Sequence, residues 1–198
     1  MKLIDISRDI VSTPVYPGDP ETKIQQIKST DMNDLYNLSA IYASMHAGTH
    51  VDAPLHFIEE GATISDIPLD KFIGEVTVLT LPDEPITGEM VENLFPRNVK
   101  KLILKTGKNS VFFGGAAEDI ADIGYELLGY DKPALGGDNE AACHRALLSS
   151  GAILLENLDL SEVTHDGIYY LVALPIKAEG LEASFTRAVL FEQEKGYA

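Results

Sequence analysis

The sequence predicts an α/β fold in which helices pack on a mixed β-sheet. Short apolar runs rich in β-branched and aromatic residues recur along the chain, stretches with a helical apolar period lie between several of them, and both flanks are strand-rich. Because periodicity does not give the strand order, an α+β arrangement of the same elements stays open.

The predicted strands are apolar runs too short for a typical helix. In chain order they cover residues 23–29, 38–44, 76–81, 101–105, 152–155, 169–175 and 187–192. Helices are predicted over residues 88–95, 117–128 and 138–150. Thr87 is a suitable N-cap for the first helix and Asp138 or Asn139 for the third, which Gly151 is placed to end.

We expect a single domain over residues 1–198. A chain of 198 residues, 45% of them hydrophobic, can bury a substantial core. The sequence contains no internal repeat and no long polar linker that would divide it.

The net charge and the cysteine content limit the partners and the compartment. With 31 acidic residues against 15 Lys and Arg, the formal charge is −16, which repels nucleic acid. No stretch approaches the roughly 18 apolar residues that cross a bilayer, and the acids near the start do not fit a signal peptide. The single Cys143 can form no internal disulfide. These features predict a cytoplasmic protein without a membrane partner.

One segment concentrates residues that bind metals. Three of the five histidines, His46, His50 and His56, fall within eleven residues and share that segment with Asp52. Imidazole and carboxylate suit zinc, manganese or iron(II), whereas the histidines disfavour calcium. The segment is therefore a candidate metal site. The alternative is that its histidines lie on a polar loop or bind buried backbone carbonyls.

Metal binding by this segment requires a bent backbone, because donor atoms must lie roughly 2.0 to 2.2 Å from one ion. On a straight helix, Asp52 would be rotated about 200° away from His50. On a straight strand, His46 and His50 would stand roughly 13 Å apart. Gly48 permits a positive φ and Pro54 favours an extended residue before it, so both are placed to bend the chain.

Two residues further along are candidate ligands. Glu156 ends an apolar run and, if buried, needs a metal, hydrogen bonds or an ion pair. A strand returning after Gly151 would bring Glu156 alongside His144 on the third helix. The alternative to a metal role for Glu156 is a salt bridge to a Lys or Arg. His165 is predicted to be exposed and structural. Cys143 lies beside His144, which would suit a thiol nucleophile, but adjacent residues on a helix point about 100° apart. Cys143 is therefore predicted to be a small buried residue.

From His46 to Phe57 the chain is His-x-Gly-Thr-His-x-Asp-x-Pro-x-His-Phe without interruption. This stretch resembles the cyclase-like metal-dependent hydrolases, a family that includes bacterial kynurenine formamidase and isatin hydrolase. The likeness covers essentially the whole chain and is weakest over residues 83–135. It extends to Asp5-Ile6-Ser7, the turn from Pro14 to Pro20, the stretch Leu155 to Leu158, Ala173 to Pro175 and residues 184–190.

The resemblance implies a swivelling β/β/α fold and one or two bound ions, Zn²⁺ or alternatively Mn²⁺. It implies that Asp52 binds the first ion and bridges to the second, that Glu156 touches both, and that His56 transfers protons. Tyr16 would contact the substrate. The implied metal ligands are His46, His50, Asp52, His144 and Glu156. A homo-oligomer, dimer or tetramer, is also implied.

These residues predict a metal-dependent amidohydrolase that activates water for attack on a small amide. The leading hypothesis is an arylformamidase, which converts N-formylkynurenine to kynurenine and formate. A hydrolase of a cyclic imide, lactam or lactone, like isatin hydrolase, is the second hypothesis, and a non-catalytic, metal-stabilised binding protein is the third. The sequence contains no Gly-x-Ser-x-Gly elbow and no Walker-type phosphate loop.

Overall fold

The computed structural model describes residues 2–192. Its α-helices are α1 (Gly88–Leu94), α2 (Ala116–Ile123) and α3 (Glu140–Ser149). Its strands are β1 (Lys2–Asp5), β2 (Lys23–Lys28), β3 (Leu38–Tyr42), β4 (His50–Asp52), β5 (Ile73–Thr80), β6 (Lys101–Lys105), β7 (Leu127–Tyr130), β8 (Ile153–Glu156), β9 (Gly167–Val172), β10 (Ala183–Phe185) and β11 (Val189–Glu192).

A mixed sheet of nine strands forms the centre of the fold, in the order β1-β11-β9-β5-β6-β7-β8-β4-β10. Strands β5 to β8 run parallel to one another, whereas the strands on both sides of this group pair antiparallel. β2 and β3 form a separate two-stranded sheet. The predicted α/β class, with helices packed on a mixed sheet, is confirmed.

Strands β6, β7 and β8 are largely apolar because both faces of the sheet are buried there. In β6, Leu102 and Leu104 point to a core that also contains residues of all three helices, while Ile103 points to a second core on the opposite face. The sheet therefore separates two hydrophobic clusters, with the helices against one of them.

Several predicted boundaries are correct. Thr87 caps α1, since its side chain accepts a hydrogen bond from the Met90 backbone N–H. Gly151 adopts a φ of 87° after α3, which favours glycine and ends the helix. Asn139 occupies the N-cap position of α3, but its side chain makes no capping hydrogen bond.

The prediction of one helix over residues 117–128 is wrong in its second half. Gly124 adopts a φ of 81° and ends α2, and the chain then forms β7. The Leu-Leu-Gly-Tyr sequence of β7 is buried between β6 and β8, and four apolar residues fit a helix or a buried strand equally well. The short strands β1, β4 and β10 were not predicted, because three or four residues give little periodic signal.

Among the described residues, no helix combines the length and the apolar character needed to cross a membrane.

Candidate metal centre

The candidate site lies where two parallel strands end and a third strand runs against them. Tyr130 is the last residue of β7 and Glu156 the last of β8. β4 pairs antiparallel with β8 so that His50 stands directly opposite Glu156. Directly opposed residues have Cβ atoms about 4.5 to 5.5 Å apart, so the pairing alone brings an imidazole and a carboxylate together.

The bend predicted from Gly48 and Pro54 is confirmed. Gly48 has a φ of 61°, and a Cβ there would lie 2.8 Å from the Ile10 side chain and 3.0 Å from the Arg8 carbonyl oxygen. Ala53 is extended, as expected before proline, and a 3₁₀ turn over Pro54–His56 follows. His46 thus precedes β4 on a turn, His50 lies on the strand and His56 lies after it.

These bends bring the donor atoms together around Asp52. His46 Nδ1 lies 3.1 Å from Asp52 Oδ1, and His50 Nε2 lies 3.5 Å from the same oxygen. His56 Nε2 is 3.8 Å from Asp52 Oδ2. His50 Nε2 is also 3.5 Å from Glu156 Oε2. Two sets of three donors lie within 4.8 Å of one another and share Asp52: His46, Asp52 and His56, and His50, Asp52 and Glu156.

The donor set fits a metal ion because buried polar atoms in it have no hydrogen-bond partner in the described chain. Those atoms are His50 Nε2 and both carboxylate oxygens of Asp52. His50 is 3% exposed and Asp52 is fully buried. A buried carboxylate without hydrogen bonds is costly, and a divalent cation would satisfy all three atoms.

The orientation of His50 is fixed by its other ring nitrogen. His50 Nδ1 donates to the Gly48 carbonyl oxygen at 3.0 Å, and Asn157 Nδ2 donates to the same oxygen at 3.2 Å. The Thr49 hydroxyl donates to the Asn157 carbonyl oxygen at 2.8 Å. Hydrogen bonds of this kind orient metal-binding histidines, and here they turn Nε2 toward Asp52 and Glu156.

Glu156 is held from two further sides. His144 Nε2 lies 3.1 Å from Glu156 Oε1, and His144 Nδ1 donates to the Glu140 carbonyl oxygen at 3.0 Å. The hydroxyl of Tyr130, buried in β7, donates to the same Glu156 oxygen. The predicted proximity of His144 and Glu156 is confirmed, and no Lys or Arg side chain of the described chain forms an ion pair with Glu156.

The buried carboxylates control the titration of the histidines. Burial lowers the pKa of His50 and His144, but Asp52 and Glu156 outweigh it and raise each pKa to about 9. Burial would raise the pKa of Glu156, but His144 and His50 hold it well below its usual range. For His56, burial dominates and lowers the pKa. His56 is therefore a neutral imidazole near pH 7, able to accept a proton.

A cavity of about 220 Å³ opens above the donor atoms. Tyr16, on the loop before β2, lines it, and its hydroxyl donates to Glu140 Oε2 at 3.1 Å. The remaining lining residues are Pro14, Asp19, His46, His50, His56, Phe57, Pro133, Glu140, His144, Glu156 and Asn157. None of these lining residues is a lysine or an arginine.

The structure places every predicted site residue at this one location. His46, His50, His56, His144, Glu156 and Tyr16 line the cavity, and Asp52 lies beneath it. His165 is exposed, 3.2 Å from Glu192 Oε1, and Cys143 is buried, as predicted for both. Sequence reasoning missed Tyr130 and Asn157; only the run Leu155 to Leu158 drew attention to the second.

Comparison with known proteins gives a consistent result. Residues 4–138 match the family described as "Putative cyclase". Kynurenine formamidase of Salinibacter ruber is 34% identical over 96% of this chain and 97% of its own length. Kynurenine formamidase of Bacillus cereus is 32% identical over 94% of this chain and 96% of its own.

Solved structures share the fold. A "predicted metal-dependent hydrolase" from Bacillus stearothermophilus has a TM-score of 0.82 at 29% identity and covers 97% of this chain and 98% of its own. Isatin hydrolase A from Labrenzia aggregata has a TM-score of 0.79 at 18% identity, covering 98% of this chain and 94% of its own. The first of these likenesses, with the donor groups around Asp52, indicates a metal cofactor.

We expect Tyr130→Phe to weaken zinc binding about 10- to 100-fold, because Glu156 loses the hydrogen bond that orients it. The zinc dissociation constant, measured by competition with a chromophoric chelator, tests this. Tyr125→Phe is the matched control, since the Tyr125 hydroxyl donates to the Pro96 carbonyl oxygen away from the site. Equal zinc affinity in both variants would show that Tyr130 does not orient Glu156.

If His46, His50 and His144 all bind zinc, binding should release two to three protons at pH 7, because the pKa of each is raised and an imidazole must lose its proton to bind metal. Since the pKa values of His50 and His144 are raised to about 9, zinc affinity should rise with pH from about 6 to 9. Calorimetric titrations in buffers of different ionisation enthalpy count the protons. His165→Ala should not change the count, and zinc binding without proton release would contradict the ligand assignment.

Proposed function

The chain belongs to the cyclase family of metal-dependent hydrolases, and on that premise we propose that it is an arylformamidase that hydrolyses N-formylkynurenine to kynurenine and formate. The main support for the proposal is that the buried donor atoms face an open cavity. A structural metal site is closed by four protein ligands, whereas a catalytic site keeps a position for water or substrate. The kynurenine formamidases that resemble the chain over nearly its whole length support the choice of substrate.

We assign the metal ligands to His46, His50, Asp52, His144 and Glu156. The set of His50, Asp52 and Glu156 suits one ion with an open position. His46 Nδ1 lies 3.1 Å from Asp52 and His144 Nε2 lies 3.1 Å from Glu156, so both can add to that set. Zinc is the proposed ion and manganese the alternative, because both accept imidazole and carboxylate ligands. A bound ion of this kind supplies a water of lowered pKa and polarises a carbonyl oxygen.

His56 is the proposed proton carrier. Its lowered pKa leaves Nε2 free to accept a proton from the attacking water, and the cavity gives the ring access to substrate. His56 then donates that proton to the amine nitrogen as the carbon–nitrogen bond breaks. The products are the free arylamine and formate, with the second proton of the water released to solvent, so one water is consumed for each amide.

The cavity walls suit an aromatic substrate that carries an ammonium group. Tyr16, Phe57 and Pro14 offer apolar surface for a ring. Asp19 and Glu140 line the same cavity, and none of its lining residues is a lysine or an arginine. N-formylkynurenine is a zwitterion whose α-ammonium group these acids can bind, whereas isatin has no ammonium group. The Arg145 guanidinium, 5.9 Å from the Phe57 ring, is the cation nearest to that wall for the α-carboxylate. The cavity volume of about 220 Å³ is also small, which suits a compact substrate.

Hydrolysis of a cyclic imide, lactam or lactone is the second candidate function. A lactam also presents a carbonyl to water and needs the same proton carrier. The donor set therefore does not distinguish ring opening from hydrolysis of a formamide. The acidic side chains of the cavity favour the formamide.

We further propose that the enzyme is cytoplasmic, consistent with a chain in which Cys143 is the only cysteine. We also propose that it works as a homo-oligomer.

The test of the proposed function is turnover by the metal-free protein reconstituted separately with zinc and with manganese, with metal content measured on the same samples. We expect hydrolysis of N-formylkynurenine with a defined metal ratio and much slower opening of isatin. Turnover of isatin alone would favour the second candidate. Bound metal without hydrolysis of either compound would identify a metal-stabilised binding protein.

Two alanine substitutions separate metal binding from proton transfer. His50→Ala should lose zinc and activity together, because His50 contacts both carboxylates. His56→Ala should retain most of its zinc while kcat falls about 10²- to 10⁴-fold, the usual contribution of a general acid–base group. Metal content and kcat are measured on each variant. Loss of zinc from His56→Ala would reassign His56 as a ligand, consistent with its position beside His46 and Asp52.

A further inference from the structure

One side of the catalytic cavity carries two acidic side chains that lie outside the metal donor set. Asp19 is on the loop before β2, and Glu140 is the first residue of α3. Within residues 2–192, the half-buried Asp19 carboxylate forms neither a hydrogen bond nor an ion pair. Glu140 Oε2 accepts a hydrogen bond from the Tyr16 hydroxyl at 3.1 Å, which leaves Oε1 without a partner in the described chain. Both carboxylates are therefore open to a ligand in the cavity.

The two acids act on the same part of the cavity, at Tyr16. The hydrogen bond to Glu140 and the charge of Glu140 raise the pKa of Tyr16, and burial and the charge of Asp19 raise it further. Because the effect of one charge on another falls with distance, both carboxylates lie near the Tyr16 hydroxyl. This part of the cavity thus combines two negative charges with a neutral hydroxyl.

The acids lie close to the place where the reaction occurs. Glu140 and His144 are four residues apart on α3, so their Cβ atoms are neighbours on one helix face, about 5 to 6 Å apart. His144 Nε2 in turn lies 3.1 Å from Glu156 Oε1. On the floor of the cavity, His50 Nε2 is buried and has no hydrogen-bond partner in the described chain. A small ligand that reaches these donors therefore also reaches the acids, about one helical turn away.

The cavity offers no matching positive side chain for a carboxylate. None of its lining residues is a lysine or an arginine. Arg145 lies 5.9 Å from the Phe57 ring, but it is exposed and does not line the cavity. A substrate carboxylate would therefore enter beside Asp19 and Glu140 without an ion pair, which is costly. A carboxylate bound to the metal ion would instead occupy the open position that water needs.

The charge of the whole chain acts in the same direction as the cavity. With a formal net charge of −16, the protein attracts cations and repels anions as they approach. A substrate with an ammonium group and no carboxylate gains from this field, whereas a zwitterion carries no net charge. Both the approach of the substrate and its contacts in the cavity therefore favour the cation.

We infer that this site selects aryl formamides that carry an ammonium group and no carboxylate, and that Asp19 and Glu140 bind the ammonium group. The inference rests on the proposed function and narrows its substrate class. Its representative is the decarboxylated analogue of N-formylkynurenine, an ortho-formamidophenyl ketone with an aminoethyl chain. The reaction is unchanged: water adds to the formyl carbon, the carbon–nitrogen bond breaks, the nitrogen gains one proton, and formate and a second proton are released.

Steady-state kinetics of the zinc-reconstituted protein test this selectivity. The decarboxylated analogue and N-formylkynurenine present the same formamide and differ only in the carboxylate. We expect kcat/KM for the decarboxylated analogue to be roughly tenfold to a hundredfold higher, the range that one hydrogen bond to a charged group contributes. Its advantage should shrink as salt is raised, because salt screens the attraction. An equal or higher kcat/KM for N-formylkynurenine would overturn the inference and leave the proposed function standing.

The double variant Asp19→Asn/Glu140→Gln tests the assignment of the two acids. It should keep its zinc and lose the preference, because kcat/KM for the decarboxylated analogue falls to the level of N-formylkynurenine. Glu89→Gln is the matched control, since Glu89 and Glu140 both lie in the first turn of a helix but only Glu140 lines the cavity. This control should keep the preference. A double variant with unchanged zinc content and unchanged preference would show that these acids do not bind the ammonium group.

Binding of the amine products gives a readout that does not depend on turnover. Calorimetry on the zinc-loaded wild-type protein compares kynurenine with its decarboxylated analogue, and we expect the analogue to bind roughly tenfold more tightly or better. Equal or tighter binding of kynurenine would refute the selectivity. If neither formamide is hydrolysed, the proposed function fails, while the two dissociation constants still decide whether the cavity prefers an ammonium group without a carboxylate.

Discussion

The antiparallel pairing of β4 with β8 is the constraint on which the rest of the site depends. It places His50 opposite Glu156 and, two residues along, Asp52 opposite Leu154. A register slip of one residue would turn His50 and Asp52 to the other face of the sheet. β10 pairs with the other edge of β4, so this three-residue strand is held on both sides. Helix α3 brings His144 to Glu156 of this strand pair, and the turn after β4 brings His56 to Asp52.

Burying two carboxylates at one point makes a positive charge obligatory. Asp52 and Glu156 are each at most 2% exposed, and in the described chain the groups that face them are histidines and a tyrosine rather than lysine or arginine. Without an ion, protons on His50 and His144 supply that charge, which is why both pKa values rise to about 9. A divalent ion would take the place of those protons. The same electrostatic demand therefore explains the raised pKa values and favours a metal ion at this point.

The cluster of His46, His50, Asp52 and His56 could be predicted because its geometry is local. Gly48 and Pro54 mark the bends in the sequence itself, and the residue types suit metal ligation. Tyr130 could not be found in the same way. Its role requires knowing that residues 127–130 form a strand beside β8, and an apolar run of four residues does not distinguish a strand from the end of a helix. Contacts between distant segments depend on strand order, which periodicity does not contain.

The two-stranded sheet of β2 and β3 shows a second limit of the same kind. Residues 23–29 and 38–44 were correctly predicted as strands, but their apolar pattern does not say what covers them. In β6 the apolar residues pack on two cores of the same chain, whereas Leu35 and Tyr42 have no such core. The proposed ligands His50, Asp52 and Glu156, by contrast, are fixed by the pairing of β4 with β8.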